Sequence, residues 1–158
     1  MNNYSEAIEA LNDLIQINHD RVEGYQRAID EMKSSDNPTT AKLFEQYVKD
    51  SNTNVAQLSQ HVSALGGTPA TSSTLGGKVH RMWMDIKSTF AVHDKESTLE
   101  SCIFGDDAAI KSYKSAIADT TNNFSPSVMS TLNSHLWAIQ ATHAANVAYE
   151  KTLETVNS

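Results

Sequence analysis

Residues 11–29, LNDLIQINHDRVEGYQRAI, read as a helix with one buried face, and residues 99–117, LESCIFGDDAAIKSYKSAI, repeat that reading. A shift of 88 residues lays Leu11 on Leu99, Ile15 on Ile103, Val22 on Ile110, Tyr25 on Tyr113 and Ala28-Ile29 on Ala116-Ile117, with the polar Asn18 on Asp106. Apolar side chains at alternating steps of three and four form the seam of an α-helix. The matched tyrosine and the matched polar gap go beyond what heptad spacing requires. The same shift, with no gap, places Phe44 on Leu132 and Val48 on Leu136. Two helical hairpins of similar pattern are therefore expected.

Working outward from the first stretch, Ile8 and Met32 extend its seam, Ser5 can cap its start, and Ser34-Ser35-Asp36-Asn37-Pro38 ends it, which predicts a helix over 5–33. A second helix is predicted over 39–65 on Phe44, Tyr47, Ser51, Asn54, Leu58, Val62 and Leu65, stopped by Gly66-Gly67. The third runs over 95–117. Asn122 to Pro126 then turns the chain, and Ser125 as cap with Pro126 in the first helical position opens a fourth over 126–155. Between the hairpins, Val79, Met82, Trp83, Ile86 and Phe90 suggest a short extra helix near 78–90 inside a long crossover. Two helix pairs joined by one crossover give an all-α, ferritin-like antiparallel four-helix bundle, with residues 1–158 as a single domain.

Composition narrows the function classes. The net charge is −7, from 19 acidic and 12 basic residues, so the global field repels phosphate backbones and anionic membranes; neither nucleic acid nor membrane is an expected partner. No run approaches a membrane span, and the mean hydropathy is −0.42. The single cysteine, Cys102, has no intrachain partner, and a cytoplasmic location is the expectation.

The polar residues of the seam are the candidates for chemistry: Asn18, Ser51, Asn54, Asp106 and His143. In a di-iron bundle, a Glu from each of two helices and a Glu-x-x-His pair from each of the other two project inward. None of the six histidines here follows a glutamate by three; Gln16-x-x-His19 and Gln140-x-x-His143 come nearest, and an amide is a neutral, weaker ligand. One carboxylate and one imidazole carry too little charge for two divalent ions. The layer reads instead as a hydrogen-bonded network that fixes helix register, with Tyr25 and Tyr113 packing beside it. His19, His61, His80, His93 and His135 read as surface or capping residues, and Cys102 as a buried, inert thiol.

With these elements in place the chain resembles, over nearly its whole length, a family of bacterial ferritin-like four-helix-bundle proteins of unassigned function. The stretches that carry the resemblance are Leu11 to Ile15 with Asp20 and Glu23-Gly24-Tyr25, the Leu65-Gly66-Gly67 stop, His80 to Lys87, Leu99 to Cys102, Gly105 to Ala108, Tyr113 and His143. Asp106 stands where the family usually has glutamate, Ile103 and Phe104 replace a charged pair, and Gln57 stands for a common glutamate. The low charge of the seam points to a non-enzymatic bundle acting by association, as a homo-oligomer or with a protein partner and with no cofactor, and the resemblance adds a stress context. The alternative is a metal-binding bundle with a degenerate site for a single iron, manganese or zinc ion, held by Asp106 and His143 with Asp20 or Glu23 assisting.

Overall fold

The computed structural model describes residues 4–33, 38–72 and 95–157. Four long helices account for most of them: α1 (Ser5–Lys33), α2 (Pro38–Ala64), α3 (Lys95–Ala118) and α4 (Pro126–Asn157). No strand occurs among the described residues. All four helices fall within two residues of the bounds expected from periodicity. The short helix expected near 78–90 lies outside the described residues.

The helix ends follow local chemistry. Pro38 opens α2 and Pro126 opens α4, where a missing N–H costs nothing because the first-turn donors have no intrahelical partner. Ser125 Oγ accepts from the Val128 N–H at 3.2 Å. At the end of α2, Gly66 adopts φ +88°, Gly67 N–H reaches the Val62 carbonyl and Gly66 N–H the Ser63 carbonyl, both at 3.0 Å. This pair of bonds is a Schellman stop, which needs a residue in the left-handed region. The chain then lies back on α1, where Asn12 donates to the Thr68 carbonyl at 3.1 Å and accepts from the Ala70 N–H at 2.8 Å. One element was not foreseen: a 3-10 turn, Thr120–Asn122, capped by Asp119 and closed by Asn123 at φ +48°.

Cross-helix contacts set the topology. Arg21 meets Ser51 and Asn18 meets Asn54, so α1 and α2 are antiparallel; Tyr25 meets Asp106 and Asn18 meets Tyr113, so α1 and α3 are antiparallel as well. His61 meets Thr131 and Thr40 meets Tyr149, which makes α2 and α4 antiparallel. The order is up, down, down, up, with α2 and α3 parallel.

The apolar core is divided in two. One half gathers Leu11, Leu14, Ile15, Leu58, Val62, Ile110, Val128, Leu132 and Ile139. The other gathers Tyr25, Ala28, Ile29, Phe44, Tyr47, Leu99 and Cys102, with the Tyr25 ring edge-on to Phe44 at 5.0 Å and to Tyr47 at 5.3 Å. Between them lies a polar layer.

Candidate functional site

On α1 the steps Leu14, Asn18, Arg21, Tyr25 and Ala28 alternate four and three, so all five face the bundle interior, and all are buried. Two of them meet α3 in contacts that the 88-residue shift turns into each other. Tyr25 OH donates to Asp106 Oδ2, and Asn18 Nδ2 donates to Tyr113 OH at 2.8 Å. Residues 18 and 25 become 106 and 113 under the shift, so the two tyrosines clamp the two polar positions around a pseudo-twofold axis.

The halves differ in charge. Arg21 Nε donates to Asp106 Oδ1 at 2.8 Å and Arg21 Nη1 to Ser51 Oγ at 2.9 Å, while Ser51 Oγ donates to the Tyr47 carbonyl at 2.8 Å. The Arg21 and Asp106 side chains are 2 % and 0 % exposed, so this is an ion pair from which water is excluded. Burial alone pulls the guanidinium down, but Asp106, with help from the tyrosines, outweighs it and holds Arg21 above its ordinary value. Asn146 Nδ2 donates to Tyr25 OH at 2.9 Å and completes this half. Burial first, then the Asp106 charge, pushes the Tyr25 phenol well up.

The other half is neutral. Asn54 Nδ2 donates to Asn18 Oδ1 at 3.0 Å, and Asn18 Nδ2 also donates to the Leu14 carbonyl at 2.9 Å. Tyr113 OH, already accepting from Asn18, directs its proton to His135 Nδ1 at 2.9 Å; His135 then carries its own proton on Nε2 and donates to Gln57 Oε1 at 2.6 Å. Burial, followed by the charge of Arg21 and the neighbouring His61, lowers His135 to about 4.

The structure brings only one of the four expected ligands into this layer. Asp106 is there, but both its oxygens are taken by Arg21 and Tyr25. His143 is half-buried on α4 and no hydrogen bond joins it to Asp106. Asp20 is buried, yet it sits about 200° round α1 from Asn18 and so points away from the seam. Glu23 is exposed. Among the described residues no group of three or more His, Cys, Asp or Glu side chains could hold a metal ion. Cys102 is buried as expected, and burial pushes its thiol well above the usual range.

Two residues of the layer differ from the sequence expectation. His135, expected at the surface or as a cap, is 4 % exposed and links α3, α2 and α4. Arg21 is not among the expected seam residues, although its place between Asn18 and Tyr25 in the three-four rhythm puts a charge on the seam.

The di-iron pattern can be tested position by position. A carboxylate from each of two helices would fall at 18 and 106, and an i, i+3 ligand pair on α2 at 51 and 54; the 88-residue shift sends the latter to 139 and 142 on α4. Those six positions hold Asn18, Asp106, Ser51, Asn54, Ile139 and Thr142. One carboxylate stands where four are needed, no imidazole is present, and the carboxylate is already neutralised by Arg21. The residues do not fit a dinuclear metal centre.

Solved structures share the architecture. Bacterioferritin of Rhodobacter capsulatus, described with a metal-free dinuclear site and haem iron, superposes with a TM-score of 0.78 at 12 % identity, covering 98 % of this chain and 89 % of its own. A ferritin-like, diiron-carboxylate protein of Bacillus anthracis gives 0.59 at 18 % identity over the full length of both chains. At these identities the likeness establishes the fold alone. No curated protein matches the sequence. A family model, a domain of unknown function designated DUF2383, matches residues 6–119, and the chain belongs to that family.

Proposed function

We propose that this ferritin-like bundle works by association through the outer face of α4 rather than by chemistry at its centre. The supporting observation is the character of that helix. Residues 126–149 contain no Asp, Glu, Lys or Arg in a chain of net charge −7. Their outward face carries Trp137, 73 % exposed, followed by exposed Ala138, Ala141, Ala144, Ala145 and Ala148. From Trp137 to Ala148 every exposed position of α4 is apolar, and an apolar outer face is one that expects a neighbour. Small side chains let a second helix approach closely, and Trp137 offers the largest single area to bury.

A second copy of the chain is the partner this face suits best. Two acidic molecules repel over most of their surface, but residues 126–149 of α4, which stop short of Glu150 and Glu154, offer an uncharged stretch through which two copies can meet. Sedimentation velocity across micromolar concentrations tests the reading. Wild-type protein is expected to self-associate, and Trp137→Glu with Ala141→Glu to sediment as a monomer with unchanged helical content. A wild-type chain that stays monomeric at high micromolar concentration overturns it.

The metal-binding alternative would place a single ion on Asp106 and His143, with Asp20 or Glu23 assisting. It requires Asp106 to release Arg21 and leave a buried guanidinium uncompensated. Elemental analysis of protein purified without chelator separates the readings, since a stoichiometric metal would favour the alternative.

A further inference from the structure

We infer that Arg21 is the bundle's built-in cation, occupying with its guanidinium the charge-balancing role that metal ions fill at the corresponding layer of a di-iron bundle. The inference starts from the mismatch already described: the layer keeps one inward carboxylate, Asp106, among six positions that would otherwise carry ligands. A buried carboxylate needs a positive partner. Arg21 supplies it with directed bonds to Asp106 on α3 and to Ser51 on α2, at 2.8 and 2.9 Å, and with its guanidinium carbon 5.7 Å from the centre of the Tyr25 ring.

The comparison between the halves sharpens this. Under the 88-residue shift Asn18 corresponds to Asp106, and Arg21 to Ala109. One half therefore supplies an amide and a guanidinium, the other a carboxylate and a methyl group. All four side chains are buried, and together they hold one negative and one positive charge. A second carboxylate at 18 with a small residue at 21 would leave two acids in one buried layer, the volume of an arginine side chain beside Asp106 and no positive partner, which is the chemistry of a cation site. Arg21 closes that possibility by filling the volume and cancelling the charge.

The test is chemical rescue on the intact chain. Arg21→Ala empties the space and strands Asp106, and its unfolding midpoint is expected about 10 °C below wild type. Guanidinium chloride at low millimolar concentration, far below denaturing levels, should recover several degrees of that loss, while sodium chloride of equal ionic strength should not. In Arg21→Ala with Asp106→Asn the added guanidinium should have no such effect. A second variant, Asn18→Asp with Arg21→Ala, reads the same idea differently: it should bind Mn²⁺ at least tenfold more tightly than wild type in calorimetric titration. Should Arg21→Ala not fold alone, circular dichroism during guanidinium titration reports the rescue as regained helix, and Arg21→Lys should fold by keeping the charge. The inference is overturned if guanidinium rescues neither stability nor helix, if it acts equally in the Asp106→Asn background, or if Asn18→Asp with Arg21→Ala binds Mn²⁺ no better than wild type.

Discussion

Arg21 and Asp106 form an ion pair at 2.8 Å in which neither side chain is more than 2 % exposed. Removing two charges from water costs several kcal/mol apiece, and close, directed contact roughly offsets that cost. The pair as a whole therefore adds little to stability, whereas losing one member leaves the other buried and unbalanced. Asp106→Asn is expected to cost about 3–5 kcal/mol, while Asp106→Leu combined with Arg21→Met costs far less than the two single changes together. Urea unfolding of the four proteins in the cycle measures this. Additive costs would mean the two groups do not depend on each other.

His135 gives stability a pH dependence of definite sign. Its folded pKa is lowered to about 4, below the ordinary 6.5. Between those values the unfolded chain binds more protons than the folded one, so stability rises with pH through the window. It is fully present above pH 6.5 and is lost as pH falls towards 4, for a total on the order of 3 kcal/mol. Protonation at Nδ1 would also oppose the Tyr113 hydroxyl, which points its own proton there. Urea midpoints from pH 7.5 to 4 should fall in wild type and fall less in His135→Gln. An equal slope in both proteins would assign the acid sensitivity to other groups.

The two glycines that stop α2 act through different physics. Gly66 sits at φ +88° with open space where a Cβ would go, so Gly66→Ala carries a backbone cost alone, about 1 kcal/mol. Gly67 has the reverse problem, since a Cβ there would lie 2.7 Å from Ile8 Cγ2 on α1. Gly67→Ala should cost about 1–3 kcal/mol by overpacking. Measured in an Ile8→Ala background, the Gly67 penalty should shrink and the Gly66 penalty should not.

The helices were legible because their signals are local: a three-four rhythm, a glycine pair after Leu65, and Ser125-Pro126 before the last helix. The pairing of hairpins was legible because Tyr25 and Asn18 recur at a fixed shift as Tyr113 and Asp106. The 3-10 turn at Thr120–Asn122 was not, since it rests on an Asp119 side-chain bond and a left-handed Asn123 that ordinary turn composition does not distinguish. The layer's polarity could be read, but its partners could not. Arg21 is charged, and a charge on a helix is usually solvated; only the simultaneous positions of Asp106 and Ser51 explain its burial. His135 is similar, because its two partners lie 22 and 78 residues away. Asp20 and Glu23 enter the expected ligand set through the resemblance, and their helical angles place both off the face that carries Asn18.

The pseudo-twofold axis predicts one symmetry in behaviour and one break in it. Tyr25 and Tyr113 occupy equivalent positions, and each hydroxyl bridges two buried groups. Replacement by Phe removes both bonds at either site without disturbing the ring packing, so neither variant should alter helical content. The costs should differ, because Tyr25 donates to the ionised Asp106 whereas Tyr113 joins neutral Asn18 and His135. Bonds to charged groups contribute about 1.5–3 kcal/mol and neutral ones about 0.5–1.5. Tyr25→Phe is therefore expected to destabilise by about 2–4 kcal/mol, and Tyr113→Phe by about 1–2 kcal/mol. In an Asp106→Leu, Arg21→Met background the charge is gone, and the two Phe variants should converge. Persistence of the gap there would place the asymmetry in packing around Phe44 and Tyr47, the rings that flank Tyr25, rather than in the ion pair.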